Sequence, residues 1–128
     1  MIDPAEIALD AEKEARALFD LGRGACSRAY YAMFNMARAL LLTRGFEPEA
    51  TKTHRTVLQS FSNEFVRNGP FAKDDGRQLQ RAAEARHLAD YSGNVRRDDA
   101  EQVMAALDRF MNTAKAILSE KHSGSSNP

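Results

Sequence analysis

The sequence predicts an all-α protein, an up-and-down bundle of about five helices. Apolar residues recur at spacings of three and four over most of the chain, and no segment shows a convincing strand-like alternation. Start and stop signals for helices divide the 128 residues into five segments. The connectors between these segments are short, which favours antiparallel neighbours.

The first helix has clear boundaries. Asp3 can cap it, and Pro4 suits its first position because proline lacks an N–H that would be left unpaired there. Gly22 and Gly24 are expected to end the segment. Its apolar residues form one face that we expect to be buried: Ile7, Ala8, Ala11, Ala15 and Leu18.

The second helix, from about Ala25 to Arg44, is apolar over most of its circumference. Between residues 29 and 42 only Asn35 and Arg38 are strongly polar. Such a helix is buried or shared with a partner. Because one small bundle has little surface with which to cover it, we expect part of it, or of the fourth helix, to face a second copy in a two-fold dimer. An elongated monomer with a buried central helix is the alternative.

Three further helices complete the chain. Gly45 fits a left-handed cap that ends the second helix. A third helix starts near residue 51 or 53 and ends before Gly69-Pro70, a fourth covers about 73–91, and a fifth follows. Residues 1–121 are expected to form a single domain, and 122–128 a disordered tail.

The composition says more about the cellular compartment of the protein than about its binding partner. Lys plus Arg and Asp plus Glu cancel at 18 each, so the overall charge does not argue for nucleic acid. Between Arg77 and Arg97, however, five arginines face only Glu84 and Asp90. The single cysteine, Cys26, excludes an internal disulfide. No signal peptide is visible and the apolar run of the second helix is too short for a bilayer, so we expect a cytoplasmic protein without a membrane segment.

A polar stripe crosses the otherwise apolar second helix. Arg28, Tyr31, Asn35 and Arg38 follow spacings of three, four and three, which places them on one face. An unpaired charge on a buried helix is costly. The polar stripe therefore indicates either an internal hydrogen-bond network or a wet groove that holds a ligand.

The end of the fourth helix carries a second candidate site. Arg86 falls on its inner face beside small alanines, and Asp90 follows one turn later. An inward arginine can bind an anion such as a phosphodiester. The alternative is an Arg86–Asp90 ion pair that holds the helix end, with Tyr91 as a packed aromatic.

Two histidines add weaker candidates. His54 lies in the basic cluster Lys52-Thr53-His54-Arg55 at the start of the third helix, where it either contacts phosphate or is an exposed residue of the cap. Histidine is a common general acid or base, but we expect His87 to point to the side of the bundle. Glycine-rich phosphate loops and Cys/His zinc spacings are missing from the sequence, so we expect neither a metal nor a cofactor.

These motifs together resemble the HEPN domain (higher eukaryotes and prokaryotes nucleotide-binding), in its small stand-alone prokaryotic branch. The matching residues are 27–34, 37–41 with Gly45, 52–54 and 86–91. The resemblance implies a helical bundle that dimerises and brings two copies of the fourth-helix motif together over a basic cleft. It also implies a metal-independent endoribonuclease that acts as a toxin beside a nucleotidyltransferase antitoxin.

The chain departs from the family pattern at one position. Arg86 matches the family's arginine and His87 its polar position, but no histidine follows among residues 88–94. Without an imidazole the 2′-hydroxyl of RNA has no obvious base, which typically costs about 10² to 10⁴ in rate. Tyr91 loosely matches a tyrosine that the partner nucleotidyltransferase adenylylates in some modules of this kind.

Three hypotheses follow. The first is a HEPN-type toxin–antitoxin component that binds RNA or nucleotide, with or without RNA cleavage. In this hypothesis Arg86 holds phosphate, Asp90 orients it, and Tyr91 lines the cleft or is modified. Its opposite wall would be formed by residues of the second helix: Arg28, Tyr31 and Asn35. The second is a non-catalytic module that partners a nucleotidyltransferase, and the third is a helical dimer without a ligand.

Overall fold

A computed structural model describes residues 3–20, 25–67, 69–92 and 97–126. At residues 20, 25–26, 84–92, 97–100 and 120–126 it describes the backbone only. All regular structure in the described residues is helical, which confirms the all-α prediction. The described residues form five α-helices: α1 (Pro4–Asp20), α2 (Ala25–Thr43), α3 (His54–Phe61), α4 (Lys73–Ser92) and α5 (Arg97–Ser126).

The predicted cap at Asp3 and the predicted left-handed cap at Gly45 are confirmed. The Ala5 N–H donates to Asp3 Oδ1 at 3.0 Å, as a capping aspartate requires. At the other end of the first hairpin, Gly45 has φ +89°, the left-handed conformation that glycine adopts without strain. The N–H groups of Gly45 and Phe46 donate to Leu42 and Leu41, which makes this end a Schellman motif. Gly22 and Gly24 lie outside the described residues.

The third predicted helix is divided into an α-helix and a π-helical segment, and a 3₁₀ turn precedes it in the connector. A 3₁₀ turn covers Pro48–Thr51, α3 begins at His54, and a wider π-helical segment covers Ser62–Arg67. Thr53 caps α3, because its Oγ1 accepts from the Thr56 N–H at 3.2 Å. α4 then begins where the sequence predicts.

The helix α2 is the centre of the bundle, and the other four α-helices pack against it. It contributes these buried apolar residues: Ala29, Tyr30, Ala32, Met33, Phe34, Met36, Ala37, Ala39, Leu40 and Leu41. The expectation that one chain is too small to cover this helix is therefore wrong, because helices of the same chain bury it on nearly all sides. Dimerisation itself stays a prediction.

Contacts between distant residues give the directions of the helices. Glu12 and Arg16 of α1 pair with Lys115 and Asp108 of α5, so these two helices are antiparallel. His54 lies beside Phe34, and the Arg44 guanidinium lies 4.5 Å above the Phe65 ring. α3 and the π-helical segment after it therefore run in the same direction as α2, and the connector between α2 and α3 turns back.

An aromatic cluster closes the end of the bundle where α2 finishes. Phe61 lies 4.9 Å from Phe71 and 5.4 Å from Phe110, measured between ring centroids. Phe65 stacks on Phe61 at 5.6 Å. The cluster joins α3, the π-helical segment, the connector before α4, and α5. Because α4 starts at this end and packs along α2, its later turns lead back toward the beginning of α2.

The C-terminal helix continues past the predicted domain end. The backbone of α5 reaches Ser126, whereas we expected the domain to finish at residue 121. Its side chains from residue 120 onward are outside the described part of the chain. The assignment of 122–128 to a tail stays a prediction.

Candidate functional site

The polar stripe predicted on the second helix forms a continuous row of contacts in the structure. The Arg28 guanidinium lies 5.4 Å from the centroid of the Tyr31 ring. Asn35 Nδ2 donates to the backbone oxygen of Tyr31 at 2.9 Å, and Asn35 Oδ1 accepts from Arg38 at 3.3 Å. Each residue thus touches the next one along α2. These contacts support the alternative of a hydrogen-bond network, and the ligand-holding groove stays a prediction.

The N-terminal half of the polar stripe faces solvent. Tyr31 is 42% exposed, and among the described residues only Leu9 is a comparably exposed large hydrophobic side chain. Arg28 stays about half exposed, and its nearest carboxylate oxygen, on Glu14, is 3.8 Å away. An exposed pair at that distance contributes at most about 1 kcal/mol. Arg28 and Tyr31 are therefore available to a ligand.

The C-terminal half of the polar stripe is more buried than the N-terminal half. Asn35 is only 1% exposed, and both ends of its amide are used within α2. Arg38 is partly buried, and its Nε has no acceptor among the residues that the structure describes. A buried donor without an acceptor costs about 1–3 kcal/mol. Sequence reasoning placed Arg38 on the stripe but assigned it no role of its own.

Arg16 and Arg44 have carboxylate partners. Arg16 contacts Glu12 at 2.7 Å and Asp108 at 2.6 Å. The hydrogen bonds to Glu12 and then to Asp108 raise the pKa of Arg16 above its ordinary value. Arg44 lies on the Phe65 ring with Glu64 3.8 Å away. Arg38 differs because its only described partner is the neutral amide of Asn35.

His54 has partners that the sequence did not reveal. The Tyr30 hydroxyl and His54 Nδ1 share a hydrogen bond of 2.5 Å, although the two residues are 24 positions apart. The imidazole also stacks on Phe34, with 4.3 Å between the ring centroids. Tyr30 and Phe34 are four apart on α2 and form one aromatic face, and this spacing was the signal in the sequence. His54 packs on that face, beside the polar stripe.

The second predicted cluster lies at the end of α4. The backbone of α4 includes the four predicted site residues, Arg86, His87, Asp90 and Tyr91. Their side chains are outside the described part of the chain. Leu79 and Ala82, which precede them on the predicted inner face, are buried. The roles of the four residues, and their distance from the polar stripe, stay predictions. The side chain of Cys26 is likewise not described.

The described residues contain neither a candidate metal site nor a candidate membrane span. No group of three or more His, Cys, Asp or Glu side chains lies close enough to hold a metal ion in that part of the chain. Every described helix is too short or too polar to reach across a membrane.

The sequence matches the HEPN domain family over residues 3–118. The chain belongs to the HEPN family. Among its relatives is a protein named "putative toxin" from Methanocaldococcus jannaschii, 35% identical over 118 residues, which are 90% of this chain and 86% of that protein. A second "putative toxin" of the same organism is 30% identical over 95% of this chain and 82% of its own length.

A bacterial relative covers the HEPN chain almost end to end. It is a UPF0332 protein of Gloeobacter violaceus, 34% identical over 125 residues, which are 94% of each chain. The family that the motifs in α2 and α4 resemble is therefore the family to which the whole domain belongs. The helical bundle around α2 is consistent with it.

Proposed function

We propose that this HEPN chain is the toxin-like component of a toxin–antitoxin or defence module and that it binds RNA or nucleotide. Two relatives that match most of its length are named "putative toxin", which supports the first half. The second half rests on the polar stripe, where Tyr31 is exposed between Arg28 and Arg38. Single-stranded nucleic acid binds surfaces that combine aromatic rings with cations.

The exposed Tyr31 carries this proposal. An aromatic ring on the central helix of a bundle normally stabilises the protein by being buried. Tyr31 instead faces solvent, and Arg28 covers part of its ring. A base stacked on this ring would also meet a guanidinium for its phosphate.

The α4 motif supplies the second wall of the proposed cleft. Arg86 holds phosphate, Asp90 orients it, and Tyr91 lines the cleft or is modified, while His87 faces the ligand from the side. The proposed homodimer brings two such motifs together, as the HEPN resemblance implies. α4 leads back toward the start of α2, which supports a position near Arg28 and Tyr31.

A second function is favoured by one observation. The position where ribonucleases of the family carry a histidine after Arg86 has none in this chain. We therefore keep a non-catalytic module, which binds nucleotide and a partner nucleotidyltransferase, as the alternative to a metal-independent endoribonuclease.

Cleavage of labelled RNA separates the two functions. The purified chain is incubated with a 5′-labelled RNA in EDTA, and the products are resolved on a denaturing gel. The ribonuclease hypothesis expects cleavage that Arg86→Ala abolishes without lowering the melting temperature. Arg81→Ala is the matched control, because Arg81 is an exposed arginine of the same helix.

The alternative has its own positive result. RNA that stays intact while binding, together with a stable complex between this chain and a minimal nucleotidyltransferase encoded beside it, would establish the non-catalytic module. A chain that neither binds nor cleaves RNA or nucleotide would refute both functions.

A further inference from the structure

Arg38 is a partly buried guanidinium with unused hydrogen-bond donors. Its Nε is buried, and within the described residues no atom accepts that proton. A terminal nitrogen donates to Asn35 Oδ1, but at 3.3 Å this bond is long. A guanidinium has five N–H donors. Because Nε is buried, a ligand would meet the terminal N–H groups that are not bonded to Asn35.

Asn35 determines where Arg38 points. Its Nδ2 donates to the backbone oxygen of Tyr31, which leaves Oδ1 directed at Arg38. Because the amide is buried and used at both ends, it is poorly placed to touch a ligand. Asn35 acts through Arg38, and is a positioning residue.

We propose that Arg38, oriented by Asn35, binds a phosphate group of the RNA or nucleotide whose base stacks on Tyr31. This inference rests on the proposed function and extends its site by two turns of α2. Tyr31 and Arg38 are seven residues apart, or about 10 Å along the helix axis. A nucleotide and its flanking phosphate can bridge that distance.

A phosphate is favoured over a carboxylate of a partner protein. The stripe that holds Arg38 also presents an exposed aromatic ring and a second guanidinium, on Arg28. A nucleotide uses all three groups, by stacking on the ring and by placing phosphate on the cations. A carboxylate would use one guanidinium and leave the ring in water.

The substitution Arg38→Met tests the inference. We expect the affinity for a fluorescent hexauridylate RNA to fall about tenfold and the slope of log affinity against log salt to become shallower by about 0.7. Uridine 5′-monophosphate and pyrophosphate, titrated as separate probes, distinguish a polynucleotide site from a site for a single nucleotide or a bare phosphate. Arg38→Lys keeps the charge, so it should keep the salt slope while binding less tightly.

Arg44→Met is the matched control, one residue past the end of α2. Arg44 already has Phe65 and Glu64 as partners, so its loss should leave RNA affinity within twofold and the salt slope unchanged. Asn35→Ala should lower RNA affinity less than Arg38→Met does. In the background of Arg38→Met it should lower the affinity no further, because Asn35 acts only through Arg38.

The following outcomes distinguish a failure of this inference from a failure of the proposed function. If Arg38→Met binds all three probes as the wild type does, the inference is wrong even where RNA is bound or cut. If Arg38→Met instead changes the oligomeric mass and leaves RNA affinity unchanged, Arg38 serves a protein interface and the inference is also wrong. If Arg38→Met does not fold, Arg38→Lys with an unchanged affinity refutes the inference and a weaker one supports it. Loss of binding in Arg38→Met with binding retained in Arg86→Ala supports the inference and removes the proposed phosphate role of Arg86.

Discussion

Tyr30 on α2 and His54 at the start of α3 are joined by a hydrogen bond of 2.5 Å between the phenol oxygen and Nδ1. Tyr30 is 2% exposed, so its hydroxyl is paired in the interior while the imidazole reaches the surface. The bond holds the first turn of α3 against the central helix. It also keeps His54 off the polar stripe, on the neighbouring face of α2.

Tyr30→Phe should destabilise the HEPN chain without changing its fold. The substitution removes the hydrogen bond to His54 and keeps the ring that stacks on Phe34 and His54. A buried hydrogen bond contributes about 1 kcal/mol, which corresponds to roughly 3–5 °C for a domain of this size. Thermal unfolding followed by circular dichroism measures the change. Tyr31→Phe, which alters an exposed tyrosine, should leave the melting temperature within about 1 °C.

Glu12→Gln should weaken the contact between α1 and α5. Glu12 is buried, accepts from Arg16 at 2.7 Å and from Lys115 at 3.1 Å, and so joins two helices that are far apart in sequence. The neutral amide removes the charge from both bonds, and we expect a loss of about 1–2 kcal/mol in urea unfolding at pH 7. Glu14→Gln is the control, because that half-exposed carboxylate is 3.8 Å from its partner. A control that costs as much as Glu12→Gln would contradict the interpretation.

Gly69→Ala should be among the most harmful single substitutions in the connector before α4. A Cβ at this position would lie 2.6 Å from Phe65 Cα and 2.7 Å from its carbonyl oxygen, and backbone atoms have little room to move. The same carbonyl accepts from the Phe71 N–H, which orients the aromatic cluster. We expect a loss of at least about 2 kcal/mol in the free energy of unfolding.

Gly45→Ala is the comparison for Gly69→Ala. Gly45 has a positive φ but open space around its Cβ position, so the cost is conformational only, about 1 kcal/mol. Equal losses at the two glycines would show that crowding at Phe65 is not the cause.

Tyr31→Ala should lower RNA affinity and leave stability almost unchanged. Stacking of a base on an aromatic ring contributes about 1–3 kcal/mol per base, so fluorescence anisotropy with hexauridylate should show a loss of about 5- to 150-fold. Tyr31→Phe should retain most of the affinity because the ring remains. Leu9→Ala is the control, as Leu9 is the exposed large hydrophobic residue of α1. An RNA affinity that is the same for Tyr31→Ala and the wild type would remove the observation on which the proposed function depends.

The local part of the fold was predictable from short-range patterns. The caps at Asp3 and Gly45 and the buried positions Ala8, Ala11 and Ala15 of α1 agree with the structure. Each depends on residues within about one turn of each other, and backbone geometry relates such residues directly. The polar stripe was predicted for the same reason.

Long-range contacts were outside the reach of these patterns. Periodicity predicts that Tyr30 faces the core. It does not predict that His54 bonds to the Tyr30 hydroxyl, because the pattern within each helix does not give the direction in which α3 runs relative to α2. The coverage of α2 was misjudged because the area that four packed helices bury depends on their crossing and spacing. The direction of α3 depends on how a ten-residue connector folds back.

The sequence by itself determined the helical class, most helix ends, the polar stripe and the motifs that match the HEPN family, because each is written in residues close together in the chain. Only the tertiary structure decided that one chain buries α2 and that His54 contacts Tyr30 and Phe34. It also decided that Arg38 lacks a charged partner among the described residues. Pairing is a property of three-dimensional packing. The spacing of residues along a helix predicts which face each one occupies. Its contact partner depends on which other helix packs against that face.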